Sequence, residues 1–437
     1  MQTPSLAAGI APGLTTSKQE LRANILRKNA WHLLPVLTLA FIVNMMDRTS
    51  IGFAALIMKQ DLGLTASQLG FAAGILFAGY CLFEFPSNLA LYRFGARRWL
   101  ARIMVTWGIV ATATAFVHGH TSLYLLRFLL GVSEAGFFPG VAYLLGEWFP
   151  AQYRMRVMVI FTLAVPLSSV ITAPISAGLL QLHGLLGFAG WQWLFMLEGV
   201  PAILLGFAVL VVLRDRPADA HWLEDHERAE LLAMLAEEPR QKPKTALFGS
   251  LKDVRVLLLA AIQFGFVMGS YGVGIWLPLI LKRHGIATMT IGYLAAVPYV
   301  VAVIGMVLWA RIVDRTGKNV LSLLIACLMG AIGMAVAALT TNITPVFIGI
   351  TVAILAVSSA RAIFWTIPPR FLTGIAAAGG FAFINSIGTL GGLAGPYMVG
   401  IMKDLTGAFA AGLWTMAGML VVSTLLTGLL WMLMKRQ

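Results

Sequence analysis

Twelve stretches of mostly apolar residues follow one another along this chain, at 33–57, 69–91, 100–117, 123–146, 157–182, 193–213, 256–281, 291–313, 320–339, 345–368, 374–402 and 409–434. About 20 such residues in a helix cross the roughly 30 Å of hydrocarbon in a bilayer. Inside lipid every backbone N–H and C=O must be paired within the protein, which leaves helices and closed barrels as the spanning structures. These stretches are continuously apolar and lack the alternation of a barrel strand. The chain therefore reads as an all-α polytopic membrane protein with twelve transmembrane helices. Composition agrees, since charged residues make up 11% of 437, less than half of the roughly 25% usual in soluble domains.

Lys and Arg exceed Asp and Glu by 13. That excess does not indicate nucleic acid, because the basic residues sit between apolar runs and form no patch. With the N-terminus in the cytoplasm, 24 of the 31 basic residues fall on the cytoplasmic side and 4 outside. This bias sets the orientation, with both termini cytoplasmic. Residues 1–30 are expected to form a cytoplasmic tail without a cleaved signal peptide, with residues 17–28 a basic amphipathic helix at the membrane surface. Two cysteines, Cys81 and Cys327, both in apolar runs, exclude a disulfide framework and a cysteine-rich metal site.

The longest polar stretch, 214–255, follows the sixth span and reads as a cytoplasmic linker with one short helix at 219–238. It divides the chain into six-span bundles at 31–213 and 256–437. Tyr92-Arg93-Phe94-Gly95-Ala96-Arg97-Arg98 follows the second span, and Asp314-Arg315-Thr316-Gly317-Lys318 follows the eighth. A basic glycine turn at corresponding places in both halves indicates duplication, the plan by which many transporters build two bundles around a midplane site.

These turns resemble the loop signature of the major facilitator superfamily. The chain further resembles its anion:cation symporter family in four segments: Asp47-Arg48-Thr49-Ser50-Ile51-Gly52-Phe53-Ala54; Phe83-Glu84-Phe85-Pro86-Ser87-Asn88; the run Arg127–Gly140; and Ile384-Asn385-Ser386-Ile387-Gly388-Thr389-Leu390-Gly391-Gly392. It departs from the family at Met45-Met46, where Tyr-Leu is usual, at Tyr92, where an acid is common, and at Thr389. The resemblance implies two pseudo-symmetric six-helix bundles and a monomeric, multi-pass protein of a bacterial cytoplasmic membrane. It implies import of a small organic anion, a carboxylate, with protons by alternating access. Tartrate-like hydroxy acids, sugar acids and aromatic acids are the substrates it suggests. No cofactor is implied.

An ionisable residue in mid-span costs at least about 2.5–3.5 kcal/mol on insertion scales and is a functional candidate by default. Five stand out: Asp47, Arg48, Arg127, Glu134 and Arg361. Arg127 and Glu134, seven apart, share a helix face. A guanidinium stays charged and forks onto a carboxylate, so Arg48 and Arg127 are the expected substrate clamps. A carboxylate in low dielectric can take up a proton near neutrality, so Asp47 and Glu134 are the expected proton carriers, one beside each arginine. The resemblance assigns the same roles. The alternative is a pair of buried salt bridges that fix helix register. Arg361, Phe364 and Trp365 share one face of the tenth span. Arg361 is either a third anion-binding group, favouring a second carboxylate, or a residue that faces an outer vestibule or pairs elsewhere.

Tyr80, Tyr271, Trp365 and Asn385 are further candidates for pocket contacts, with Trp276 weighed against helix packing. Glu84 is expected in the cytoplasmic gate, together with Arg93, Arg97, Arg98, Asp314 and Arg315. Glu198 is expected to cap or pair locally at the outer end of the sixth span. All seven histidines lie at span ends or in loops, and His118 with His120, or His221 with His226, find no third ligand for a metal. An exporter or antiporter of drugs or metabolites on the same fold remains a rival. A membrane-embedded enzyme lacks a catalytic set, and a sensor lacks a soluble domain.

Overall fold

The computed structural model describes residues 12–237, 253–372 and 374–435. Its helices are α1 (Pro12–Thr49), α2 (Ile51–Asp61), α3 (Ala66–Phe94), α4 (Ala96–Ala113), α5 (His120–Glu134), α6 (Phe137–Trp148), α7 (Ala151–Thr162), α8 (Ala164–Leu179) and α9 (Gly190–Val212). A helix α10 (Asp225–Ala236) lies in the linker, followed by α11 (Val254–Arg283), α12 (Thr288–Thr316), α13 (Asn319–Ala338), α14 (Ile343–Phe364), α15 (Gly374–Thr389), α16 (Gly391–Thr406) and α17 (Phe409–Lys435). No strand occurs among the described residues.

Four of the spans are built from two helices: α1 with α2 (span 1), α5 with α6 (span 4), α7 with α8 (span 5) and α15 with α16 (span 11). Among the described residues, eleven continuous helical stretches are long and apolar enough to cross a membrane. Span 11 is two 16-residue helices meeting at Leu390. Together they supply the twelfth crossing.

Two local expectations change. The separate amphipathic helix at 17–28 does not exist, because α1 runs unbroken from Pro12 into span 1. No glycine or proline interrupts the chain between Lys18 and Trp31, and the basic residues of this extension bind the linker helix. Arg22 donates to Glu230 at 2.6 Å and to Glu237 at 2.7 Å, and Lys28 donates to Glu227 at 2.7 Å. The linker helix is also shorter than 219–238, spanning Asp225–Ala236. Hydrogen bonds from Lys28 and the Glu224 backbone hold the Glu227 carboxyl below its ordinary value, against the opposing effect of burial. Residues 238–252 and the tail 1–11 lie outside the described residues.

The two bundles meet unevenly. At the end away from the linker, the start of span 2 and the α2 part of span 1 join the apolar core of spans 7–12 as one continuous cluster. Gly70 packs against the Pro396 carbonyl so closely that a Cβ there would lie 2.3 Å from its oxygen. At the same end Asp404, near the end of span 11, caps span 2 by accepting from the Ala66 N–H at 3.0 Å and the Ser67 N–H at 2.7 Å. Toward the linker end spans 2 and 11 part, and Phe85 and Leu89 of span 2 are 70% and 58% exposed. The molecule is closed at one end and open at the linker end.

Candidate functional site

Span 4 provides the first element of the site. Its helix stops at Glu134 and restarts at Phe137, because Gly136 adopts a left-handed conformation with φ 87° that suits glycine and ends helices. Glu134 thus stands at the C-terminal, negative end of α5, and its ionised form depends on a counter-charge from elsewhere. Arg48 supplies it from span 1, one residue before that span's own break: its Nε donates to Glu134 Oε2 at 2.8 Å.

This corrects the expected pairing. Arg127 and Glu134 do not pair along span 4, and Asp47 does not pair with Arg48. Arg127 is 1% exposed and donates its Nη1 to the backbone carbonyl of Asp47 at 3.0 Å. Its Nε and Nη2 have no hydrogen-bond partner. The Asp47 carboxylate instead accepts from the Trp107 indole of span 3 at 2.7 Å. Glu134, the last residue of α5, meets Arg48 of span 1, so two-turn spacing on one helix does not decide the partner.

Around Arg48 the site opens toward the second bundle. Its guanidinium carbon lies 4.8 Å from the Tyr80 ring centre and 5.9 Å from that of Phe77, contacts that attract a cation to a π face. Phe77 meets Tyr271 of span 7 edge-on at 4.5 Å. Next to Tyr271, Ser270 accepts from Arg361 Nη2 at 3.4 Å. Arg361 is half-buried and forms no salt bridge among the described residues. Side-chain contacts and one step along span 7, from Tyr271 to Ser270, therefore lead from Arg48 to Arg361 across the two bundles. A small pocket between the bundles is lined by Thr49, Phe53, Thr172, Gly274 and Tyr299 among others.

Glu84, one turn from Tyr80 on span 2, accepts from Asn385 Nδ2 of span 11 at 3.3 Å. Cys81 Sγ reaches the Ser386 carbonyl at 3.7 Å nearby. Asn385 and Glu84 thus touch each other where the bundles begin to part. Trp365 lies against Phe364 and Phe381 and makes no polar contact with Arg361. Trp276 is buried and donates to the Pro396 carbonyl, a packing role.

The residues expected to form the gate lie at the open end. Arg93, Arg98, Asp314 and Arg315 are exposed. Arg97 stays within its own bundle, where its side chain donates to the Leu210 carbonyl and its N–H to Asp215 at 2.8 Å. Asp215 supplies an acid to the turn in which Tyr92 stands.

Sequence reading missed Trp107, Ser270 and the depth of Glu198. No local signal marks Trp107, which reaches Asp47 across 60 positions. Glu198 was visible as an acid in an apolar run. Far from capping its own helix end, it is 2% exposed and accepts from Ser176 of span 5 at 2.8 Å. Among the described residues no cluster of three His, Cys, Asp or Glu side chains could hold a metal.

Comparisons with known proteins place this arrangement. The family model described as Major Facilitator Superfamily matches residues 37–396. A protein of Agrobacterium vitis named "Putative tartrate transporter" is 48% identical over 410 residues, covering 93% of this chain and 91% of that protein. A "Quinolone resistance transporter" of Acinetobacter baumannii is 38% identical over 422 residues, covering 96% and 97%. Among solved structures, an inward-facing bacterial homologue of the human lysosomal transporter Spinster superposes with a TM-score of 0.74 over 91% of this chain and 96% of that one, at 17% identity.

Proposed function

The chain belongs to the major facilitator superfamily, and from that premise we propose that it imports a small organic dicarboxylate by proton symport across a bacterial cytoplasmic membrane. The basic residues place the linker end in the cytoplasm. The open end then faces inward, and the Asp404 cap seals the outside.

The observation that carries this reading is the buried Arg48–Glu134 ion pair. Removing one charge of such a pair leaves the other uncompensated, at a cost of about 3–5 kcal/mol. A proton on Glu134 does this to Arg48, and a substrate carboxylate undoes it by taking the place that Glu134 gave up. Proton and anion each favour the binding of the other, which is a reciprocal coupling between two sites. Arg127, with two N–H groups unpartnered, is a second clamp one layer deeper, and Asp47 beside it a second proton carrier. Arg361 faces the site from the other bundle as the group for a second carboxylate. Tyr80, Tyr271 and Asn385 shape the pocket, while Glu84 and the basic turns close the inner end when the bundles rock together.

Tartrate has the two carboxylates that this set of arginines suits, and the A. vitis relative carries that substrate in its name. Purified protein should be screened by thermal shift against mono- and dicarboxylates, and the strongest stabilisers tested for pH-driven uptake in proteoliposomes. Absence of stabilisation by any carboxylate would overturn the reading. The A. baumannii relative favours a second one, export of a carboxylate-bearing compound in exchange for protons. Outward accumulation against a gradient, driven by an inward proton flux, would select it.

A further inference from the structure

One buried carboxylate has no part in the mechanism above. Glu198 stands two helical turns below Trp191, whose indole donates to Asp61 at 2.8 Å and closes the bundle at the sealed end. Its Oε1 accepts from Ser176 Oγ, while its Oε2 has no hydrogen-bond partner. Ser50, at the break in span 1, is a second buried hydroxyl beside it. Span 3 packs Gly108 and Thr112 against the neighbouring Gly199 and brings no charge to that level. The charged groups whose fields reach Glu198 are Arg127 of span 4 and Asp47 of span 1. Thr172, one turn from Ser176 on the same face, also lines the pocket between the bundles.

The core of the first bundle thus holds two arginines and three carboxylates. A carboxylate with one oxygen unpaired in a sealed, water-poor bundle is poorly placed to stay ionised without a counter-charge, and Arg127 is the positive charge whose field reaches it. We propose that Glu198 is a third proton-carrying residue of this bundle, the one nearest the sealed end, and that it holds Arg127 neutralised until it is itself protonated. The proton comes from water on the outer side when that end opens, adds to a Glu198 oxygen, and leaves to water on the inner side after the bundles rock. Only the O–H bond is made and broken. Protonation leaves the charge of Arg127, whose Nε and Nη2 are already unpartnered, uncompensated and available to the anion.

This inference rests on proton symport, so the test begins with the wild type. Full-length protein in proteoliposomes with an internal pH dye is given labelled tartrate, or the dicarboxylate that stabilises the protein most, and proton entry per anion is measured. No proton entry in the wild type would remove the symport reading and this inference with it. With coupling present, Glu198→Gln should carry one proton fewer per anion, and its KM should vary less with external pH, while Glu198→Asp restores the slope. A side chain with only a packing role would lower yield and leave both quantities at their wild-type values, and that result overturns the proposal. If Glu198→Gln does not survive purification, Ser176→Ala removes the donor that steadies the ionised form. The midpoint of the pH–KM profile should then move up, and an unmoved midpoint counts against the proposal equally.

Discussion

The two bundles share a plan but not a chemistry. Spans 1–6 bury Asp47, Arg48, Arg127, Glu134 and Glu198 within a few helical turns of one another. Beyond residue 253 the chain contains two acids, Asp314 and Asp404, each within the last turn of its helix. Spans 7–12 therefore have no carboxylate to exchange a proton within the membrane, and their one mid-span ion is Arg361. The difference separates two tasks that a transporter must link. In this reading the first bundle couples protons to an anion, and the second presents a single positive charge to the anion's far end. An anion between Arg48 and Arg361 draws the halves together, and only one of them needs to sense the proton.

The largest expected effect breaks the first bundle's pairing. Arg48→Ala leaves Glu134 buried without its ion-pair partner and should destabilise the protein by about 3–5 kcal/mol, read as a lower melting temperature in detergent. Adding Glu134→Gln removes the stranded charge, so the double variant should regain most of that loss while remaining unable to bind the anion. If the double variant melts as early as the single one, the pair is not the organising contact of this bundle. Arg127→Lys is the companion case. Two of the Arg127 N–H groups are free for a forked contact that an ammonium cannot reproduce, so affinity should fall by about 100-fold, as for the loss of one to two charged hydrogen bonds.

Glu134→Gln alone tests the task more than the stability. It retains shape and a hydrogen-bonding carbonyl but cannot release a proton. Exchange of anion across the membrane should persist, and accumulation driven by a pH gradient should fall to the level of simple equilibration. Unchanged pH-driven uptake would move the coupling away from span 4.

The twelve spans and the five mid-span ions were legible in the sequence because their physics is local. An apolar run of sufficient length and a charge inside it need no knowledge of neighbours. The partners were not legible. Arg127 and Glu134 share a helical spacing, yet the Glu134 carboxylate, at the end of α5, pairs with Arg48, 86 positions away. Trp107 is an unremarkable aromatic in an apolar span until span 3 sets its indole on Asp47. Glu198 was legible as a charge but not as a deep one, because its distance from the sealed end depends on where α9 begins, at Gly190. The continuity of α1 with the basic extension depended on acids in the linker, brought close only by the fold.

The second bundle is tested by Arg361→Ala. A dicarboxylate should lose about 10-fold in affinity, as for one charge-assisted hydrogen bond, while a monocarboxylate held by the first bundle should be little changed. Equal losses for both would mean that Arg361 acts on the bundle itself and not on the far end of the substrate, and the division of tasks would fail at that point.

The smallest expected effect lies at the seam. Asp404 belongs to the second bundle but caps span 2 of the first, and so belongs to the outer closure. Burial acts to raise its carboxyl, but the hydrogen bonds from Ser67 and Ala66 outweigh it and hold the group below its ordinary value. A depressed carboxyl contributes its stabilisation above the ordinary carboxylate range and loses it only as pH falls through the lowered value. Between pH 5 and 8 the cap therefore remains ionised and cannot be the source of a pH-dependent rate. Asp404→Asn keeps an acceptor but removes the charge facing the helix N-terminus, worth about 0.3–1 kcal/mol. The open-outward state should become about 2- to 5-fold more populated by that measure, which accessibility labelling of Cys substitutions at the outer ends of spans 2 and 11 would register. The steepness of KM against external pH should match the wild type. A flattened slope in this variant would place proton sensing at the seam between the bundles and not inside the first one.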